Sequence, residues 1–148
     1  MEKPLYTYQF TTAGLEEISR HFHMSELTLP FWGYRKKMPM YRIMRLEGEG
    51  NYTRFHFNDG SELVVSLTLK KMEARLPPLL FVRLHKKNII NLMYLNDVRY
   101  DNQQVTVVLA NGDRVEVSRR KTNLVMKQIQ DFQQEIRALS GMPLVATA

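Results

Sequence analysis

The spacing of apolar positions changes character near Met40. Before it, "TTAGLEEISRHFHM" sets Leu15, Ile18 and Phe22 at i, i+3 and i+7, one face of a short helix with Thr12 as its N-cap. "LTLPFWGYRKKMP" follows. Two prolines and a glycine interrupt it, and Phe31, Trp32 and Tyr34 cluster inside it, so it reads as a connector that docks by its aromatics. After Met40 the period becomes two. "YRIMRL" reads as one strand. "YTRFHF" sets Tyr52, Arg54 and His56 on one face against Thr53, Phe55 and Phe57 on the other. "NDG" at Asn58–Gly60 supplies a hairpin turn, because these residues tolerate positive φ, and "ELVVSL" returns as the paired strand.

"TLKKMEARL" breaks this rhythm. Leu69, Met72 and Leu76 form a helical stripe, Thr68 caps it, and Pro77-Pro78 end it. "FVRLH" and "IINLMYL" then flank a basic gap. "DVRYDNQQVTVVLANGDRVEVS" holds turns at Asp101-Asn102 and Asn111-Gly112 around the β-branched "VTVVLA". In "KTNLVMKQIQDFQQEIRALS", Val125, Ile129, Phe132, Ile136 and Leu139 fall at steps of four and three, one helical stripe. That stripe is expected to pack on its own domain, with a dimer contact as the alternative. The predicted fold is mainly β, about ten short strands joined by tight antiparallel hairpins, with one short inserted helix and a C-terminal helix. Residues 1–40 read as an N-terminal docking or connector segment, and 41–148 as the domain.

The 148 residues suffice for one domain with an ordinary core, and the net charge of +6 suits a polyanionic partner. There is no cysteine, which excludes disulfides, thiolate nucleophiles and Cys-ligated zinc. No apolar run approaches the roughly 18 residues of a spanning helix. "MEKPLYTYQF" lacks the apolar stretch of a secretory signal, so the expected location is the cytoplasm, with no membrane insertion. No enzyme site emerges. Ser118 has no histidine nearby in sequence and no Gly-rich flank, and the acids sit mostly in turns. His21 and His23 have metal-like spacing, but no third ligand lies at a workable offset; an aromatic docking segment is preferred. No metal or cofactor is expected.

The basic gap changes the picture. "FVRLHKKNIIN" puts Arg83, His85, Lys86 and Lys87 directly before Ile89-Ile90. A core strand would not tolerate that cluster, whereas a turn that grips an anion would need it. "EGEGNYT" at 47–53 and "SRRK" at 118–121 also fall at strand ends. Connections at one end of a β-scaffold can converge on one rim. Lys and Arg there can bind phosphates, and Arg or Asn can read base edges. The plainer alternative is a set of solvated turns, with Arg119 and Arg120 capping a helix start. Cations at a helix N-terminus oppose its dipole, which tilts the reading toward function.

Taken in order, "RIMRLEGEGNYTRFHFNDG", "SLTLKKMEARLPP", "FVRLHKKNIIN" and "NGDRVEVSRRK" resemble the LytTR DNA-binding domain family of bacterial transcription regulators, from about Tyr41 to about Phe132. The resemblance implies an elongated antiparallel β fold whose loops enter successive major grooves at paired direct repeats in promoters. It places the reading loops at Asn51 and Tyr52, at Lys86 and Lys87 after His85, and at Arg119, Arg120 and Lys121. Arg120 or Lys86 would reach guanine, and Asn51 an adenine or a phosphate. Arg119, Lys121 and Lys87 would take phosphates. His85 would orient its loop, and Asn91 would serve a turn. Two features depart from the family. Lys86-Lys87 replace the common arginine-serine pair, which removes a bidentate fork. Residues 1–40 are too short for the receiver domain many members carry, and they contain no aspartate. Double-stranded DNA is the expected partner; a second copy on DNA and a regulatory protein at residues 1–40 are further candidates. The rival reading is a protein-interaction module that uses Phe31, Trp32, Tyr34 and the last helix. RNA binding would need an exposed aromatic sheet face, which the buried side of "YTRFHF" does not offer.

Overall fold

The computed structural model describes residues 10–24, 26–31 and 34–139. Its elements run α1 (Thr12–His21), β1 (Glu26–Phe31), β2 (Tyr34–Pro39), β3 (Ile43–Glu49), β4 (Tyr52–Phe57), β5 (Glu62–Val65) and α2 (Leu69–Glu73). Then come β6 (Phe81–His85), β7 (Asn88–Asn91), β8 (Leu95–Asp101), β9 (Gln104–Leu109), β10 (Arg114–Glu116) and α3 (Thr122–Ala138). The strands form a hairpin β1-β2, a five-stranded sheet in the order β5-β4-β3-β7-β6, and a three-stranded sheet in the order β10-β9-β8. Every pairing is antiparallel. The mainly β architecture of ten strands with an inserted and a C-terminal helix is the one predicted.

The alternation in "YTRFHF" is realised: Thr53, Phe55 and Phe57 are buried in β4, and Phe55 and Phe57 stack at 6.1 Å. Thr53 is the one hydroxyl in that stripe, and it donates to Leu67 O at 2.7 Å, so its burial leaves no orphan donor. In α2, Leu69 and Met72 are buried and the Thr68 hydroxyl accepts from the Lys71 N–H. In α3, Val125, Ile129, Phe132 and Ile136 are buried, so its stripe packs on its own domain.

Several local expectations are corrected. The predicted connector is the β1-β2 hairpin. Its two prolines are tolerated because a two-stranded sheet consists only of edges. Leu27, Leu29 and Met38 are buried, while Phe31 and Tyr34 stack at 6.1 Å. Trp32 lies outside the described residues. The cap of α1 is Thr11, whose hydroxyl accepts from Gly14 N–H at 3.0 Å; Thr12 is already helical. Met40–Arg42 form a 3-10 turn, so β3 begins at Ile43, later than the predicted strand. It then continues through Glu49, because pairing with β4 persists to Glu49↔Tyr52 and only Gly50 and Asn51 remain for the turn. Gly50 takes φ +62°, a conformation costly to most side chains.

"IINLMYL" is not one strand. Asn91 ends β7 and caps a 3-10 turn at Leu92–Tyr94 that carries the chain to the three-stranded sheet. Its fully buried amide donates to Ile43 O at 2.9 Å and accepts from Met93 N–H at 3.0 Å. The Tyr94 hydroxyl donates to Tyr41 O. Burial pushes that phenol well above its ordinary pKa, so it stays a neutral donor. Arg45 Nε reaches Asp113 Oδ2 at 2.9 Å, tying β3 to the turn before β10. At the other end, α1 docks on α3: Phe22 meets Phe132 edge-on at 6.4 Å, and His21 Nε2 lies 2.8 Å from Glu135 Oε2.

Candidate nucleic-acid interface

Strand order decides where the three turns lie. β3 ends at Glu49 where β4 begins at Tyr52, so Gly50-Asn51 sit at one edge of the five-stranded sheet. β7 pairs with β3 through Glu47↔Asn88, which sets its first residue at that same edge. Lys86-Lys87, the connection from β6 to β7, therefore turns there too, and Gly48 N–H donates to Lys87 O at 2.8 Å. Beyond β6, Ser118 N–H donates to Leu84 O at 2.8 Å, which starts Arg119–Lys121 beside the end of that strand. The three turns open from one rim.

Asn51, Lys86, Lys87, Arg119 and Arg120 are exposed, Tyr52 is half exposed, and His85 and Lys121 are half-buried. Three acids nearby are already engaged, while Glu116, exposed on β10 and lining a cleft with His85, has no ion pair among the described residues. Glu49 binds Arg54 at 2.8 Å, and that guanidinium holds its carboxyl below the usual range. Glu47 faces His56 Nε2 at 3.2 Å, and Glu73 binds Arg83 at 3.0 Å. No acid pairs with Lys86, Lys87, Arg119, Arg120 or Lys121 among the described residues. Their charge faces solvent uncancelled. Arg119–Lys121 form a 3-10 turn leading into α3, whose first turn has neither an acid nor a side-chain cap. The Arg119-Arg120 pair therefore does not cap the helix. Three cations and the positive end of a helix dipole lie together, an arrangement that favours an anion.

His85 and Arg83 build the middle turn. His85 Nδ1 accepts from Lys87 N–H at 3.3 Å, and the ring lines a cleft of about 370 Å³ shared with Arg45, Glu47, Asn88, Arg114 and Glu116. Arg83, part of the basic cluster in sequence, is spent inside the molecule. Its Nη2 donates to Lys86 O at 2.6 Å, while its Nη1 holds Glu73 at 3.0 Å. Lys70 and Lys71, absent from the sequence reading of the site, are exposed at the start of α2. Leu69 before them packs near Gly48: a Cβ there would lie 3.4 Å from Leu69 Cβ and 3.8 Å from Lys87 O. Their signal was a lysine pair on the solvent side of the Leu69-Met72-Leu76 stripe. His21 faces Glu135 alone, and no group of three side chains that could hold a metal ion exists among the described residues.

A family model for the LytTr DNA-binding domain matches residues 35–130. The chain belongs to the LytTR DNA-binding domain family. Among solved structures, a LytTr DNA-binding domain from Bacillus cereus superposes with a TM-score of 0.63 at 24% identity, covering 71% of this chain and 96% of that one. At that identity the likeness speaks for the LytTR fold alone. The transcriptional regulatory protein BtsR of Escherichia coli (strain K12) is 40% identical over 72 residues, 48% of this chain and 28% of that protein. The heme-containing CO-sensing transcriptional regulator RcoM 1 of Paraburkholderia xenovorans is 29% identical over 58% of this chain and 37% of its own. The chain thus spans well under half the length of these relatives. Among the described residues, no helix is long and apolar enough to cross a membrane.

Proposed function

We propose that this LytTR chain acts as the double-stranded DNA-binding part of a non-enzymatic, cytoplasmic transcription regulator, and that its three turns enter successive major grooves at promoter repeats. The observation that carries this reading is the row of five acid-free cations on turns that share one sheet edge. Strands in a sheet lie about 4.8 Å apart, so the row of turns from β4 to β6 and on to Arg119 is a line roughly 15–20 Å long, with its cations on the last two turns. A line of that kind follows a phosphate backbone better than it fits a small ligand. Arg120 and Lys86 are assigned to guanine acceptors, and Asn51 to an adenine or a phosphate. Arg119, Lys87 and Lys121 are assigned to phosphates, Tyr52 to the groove wall, and His85 to holding its turn. Paired direct repeats would seat two copies side by side.

Selection of genomic duplexes followed by titration in salt tests the reading. Four to six phosphate contacts require log K to fall against log salt with a slope near −4 to −5. Arg120→Ala costs about 1–3 kcal/mol and relaxes specificity at one position. Lys121→Ala weakens all sequences alike. Failure to bind any duplex at about 50 mM salt, where phosphate contacts are strongest, refutes the assignment.

A further inference from the structure

Four more cations lack an acidic partner among the described residues: Arg35, Lys36 and Lys37 on β2, and Arg75 just beyond α2. All four are exposed. The hairpin register sets Arg35 opposite Pro30, Lys36 opposite Leu29 and Lys37 opposite Thr28, so no carboxylate faces them across the strands. The Lys36 ammonium lies over the Phe31 ring, 5.6 Å from its centroid, which restrains a long side chain at the hairpin's end. Between the hairpin and the β5–α2 segment runs a cleft of about 280 Å³. Thr28, Pro30 and Arg35 line one wall; Ser66, Met72 and Arg75 line the other, and no acid is among its lining residues. Leu29, Val65 and Leu67 complete a lining that is more than half apolar, and the two arginines and two hydroxyls set in it are the groups able to bind a phosphate, which takes hydrogen bonds from several directions at once.

The position of this cleft identifies whose phosphate it is. Val65 pairs with Thr53, next to Tyr52, so Ser66 leaves β5 at the same edge from which the three turns open. The cleft therefore continues the basic rim past β5, at the end opposite Arg119–Lys121. We infer that the β1-β2 hairpin is a basic wing which, with Arg75, holds backbone phosphates of DNA flanking the segment gripped by the three turns. This rests on the DNA-binding reading above. The hairpin adds roughly 10 Å to a rim of about 19 Å between β5 and β6. That approaches one turn of B-DNA, about 34 Å. Phosphates carry no sequence information, so the wing adds affinity and leaves preference unchanged.

The test compares wild type with the triple variant Arg35→Gln/Lys36→Gln/Lys37→Gln and with Arg75→Gln. Each is titrated in NaCl against a duplex enriched from genomic DNA and against its scrambled counterpart. The duplexes extend past the rim on both sides, at about 30 base pairs. The triple variant binds both about tenfold more weakly, with a salt slope shallower by about 2–3; Arg75→Gln makes it shallower by about 1. The ratio between the two duplexes stays at the wild-type value, and thermal unfolding shows that both variants remain folded. If the wing binds, the wild-type slope exceeds the −4 to −5 of the three turns alone by about 3–4; if wild type shows only −4 to −5 and the triple variant matches it, the wing is refuted while the three-turn reading stands. Loss of the preference ratio also refutes it, because the hairpin would then read bases. So does an unchanged DNA slope combined with lost binding to polyglutamate, which would assign the hairpin to an acidic polypeptide. If wild type binds neither duplex, both proposals fall.

Discussion

Arg83→Met separates a cation that organises the interface from one that touches DNA. The methionine keeps most of the half-buried stem and removes every donor. What is lost can be worked from three contacts. The 2.6 Å bond from Nη2 to Lys86 O is a charge-assisted bond to a carbonyl and contributes about 1.5 kcal/mol. The pair with Glu73 is 3.0 Å long, but the glutamate side chain is 44% exposed, so solvent screening leaves about 0.5 kcal/mol. The 3.4 Å approach of Nε to His85 O is too long to add much. The total is about 2 kcal/mol, or a fall in Tm of roughly 8 °C for a domain of this size.

Binding shows the sharper effect. Without Arg83 the carbonyl of Lys86 is no longer held, and both lysines of the turn lose their fixed direction. The salt slope should therefore become shallower by about 1 through Lys87, and the preference at the guanine assigned to Lys86 should relax, as in the double variant Lys86→Gln/Lys87→Gln, although neither lysine has changed. Calorimetry and salt titration, run well below both melting temperatures, measure the two effects. A drop in Tm with wild-type binding would reduce Arg83 to a stabilising residue. A slope change of about 1 with unchanged Tm would mean that Arg83 itself sits on a phosphate. Either result overturns the organising role.

Asn91→Ala strips partners from two buried backbone groups, Ile43 C=O and Met93 N–H, and should cost about 3 kcal/mol in urea unfolding. Asn91→Asp should cost a similar amount, since it keeps the acceptor but loses the donor and adds a buried charge; a loss below about 1 kcal/mol for Asn91→Ala would contradict the geometry. Asp113 predicts acid behaviour. Burial raises its carboxyl, but bonding with Asn111 and the bond and charge of Arg45 outweigh this, so its folded pKa lies below the ordinary value. A lowered carboxylate pKa adds stability above the unfolded value, and that stability disappears as pH falls through the folded one. Wild type should therefore lose stability between about pH 5 and pH 2 more steeply than Asp113→Asn, the two curves converging at the acid end. Parallel curves would show that the Arg45–Asp113 pair does not join the sheets in solution.

The elements most legible in the sequence are those whose signal is local. β4 declares itself through Thr53, Phe55 and Phe57, α2 through Thr68 and its stripe, and α3 through steps of three and four ending on Ile136 and Leu139. The β1-β2 hairpin hid because Pro30, Gly33 and Pro39 read as breakers; yet Leu27 and Leu29 alternate into the core, and an edge strand loses little by containing proline. The convergence of the turns was legible only through the family resemblance. It depends on β7 inserting beside β3, a pairing between residues more than forty positions apart that no local pattern encodes. The same limit applies to charge. Arg83 looks equal to Lys86 in sequence, but Glu73, ten residues earlier, binds its side chain beneath the turn. Much of the acid in the five-stranded sheet is cancelled in this way, by Arg54 against Glu49 and Glu62, by Arg45 against Glu47, and by Arg42 against Asp59. A net charge of +6 therefore says little by itself. What a polyanion would meet is the set of cations this cancellation leaves over, and five of them, Lys86, Lys87 and Arg119–Lys121, lie on turns that the strand order brings to one edge.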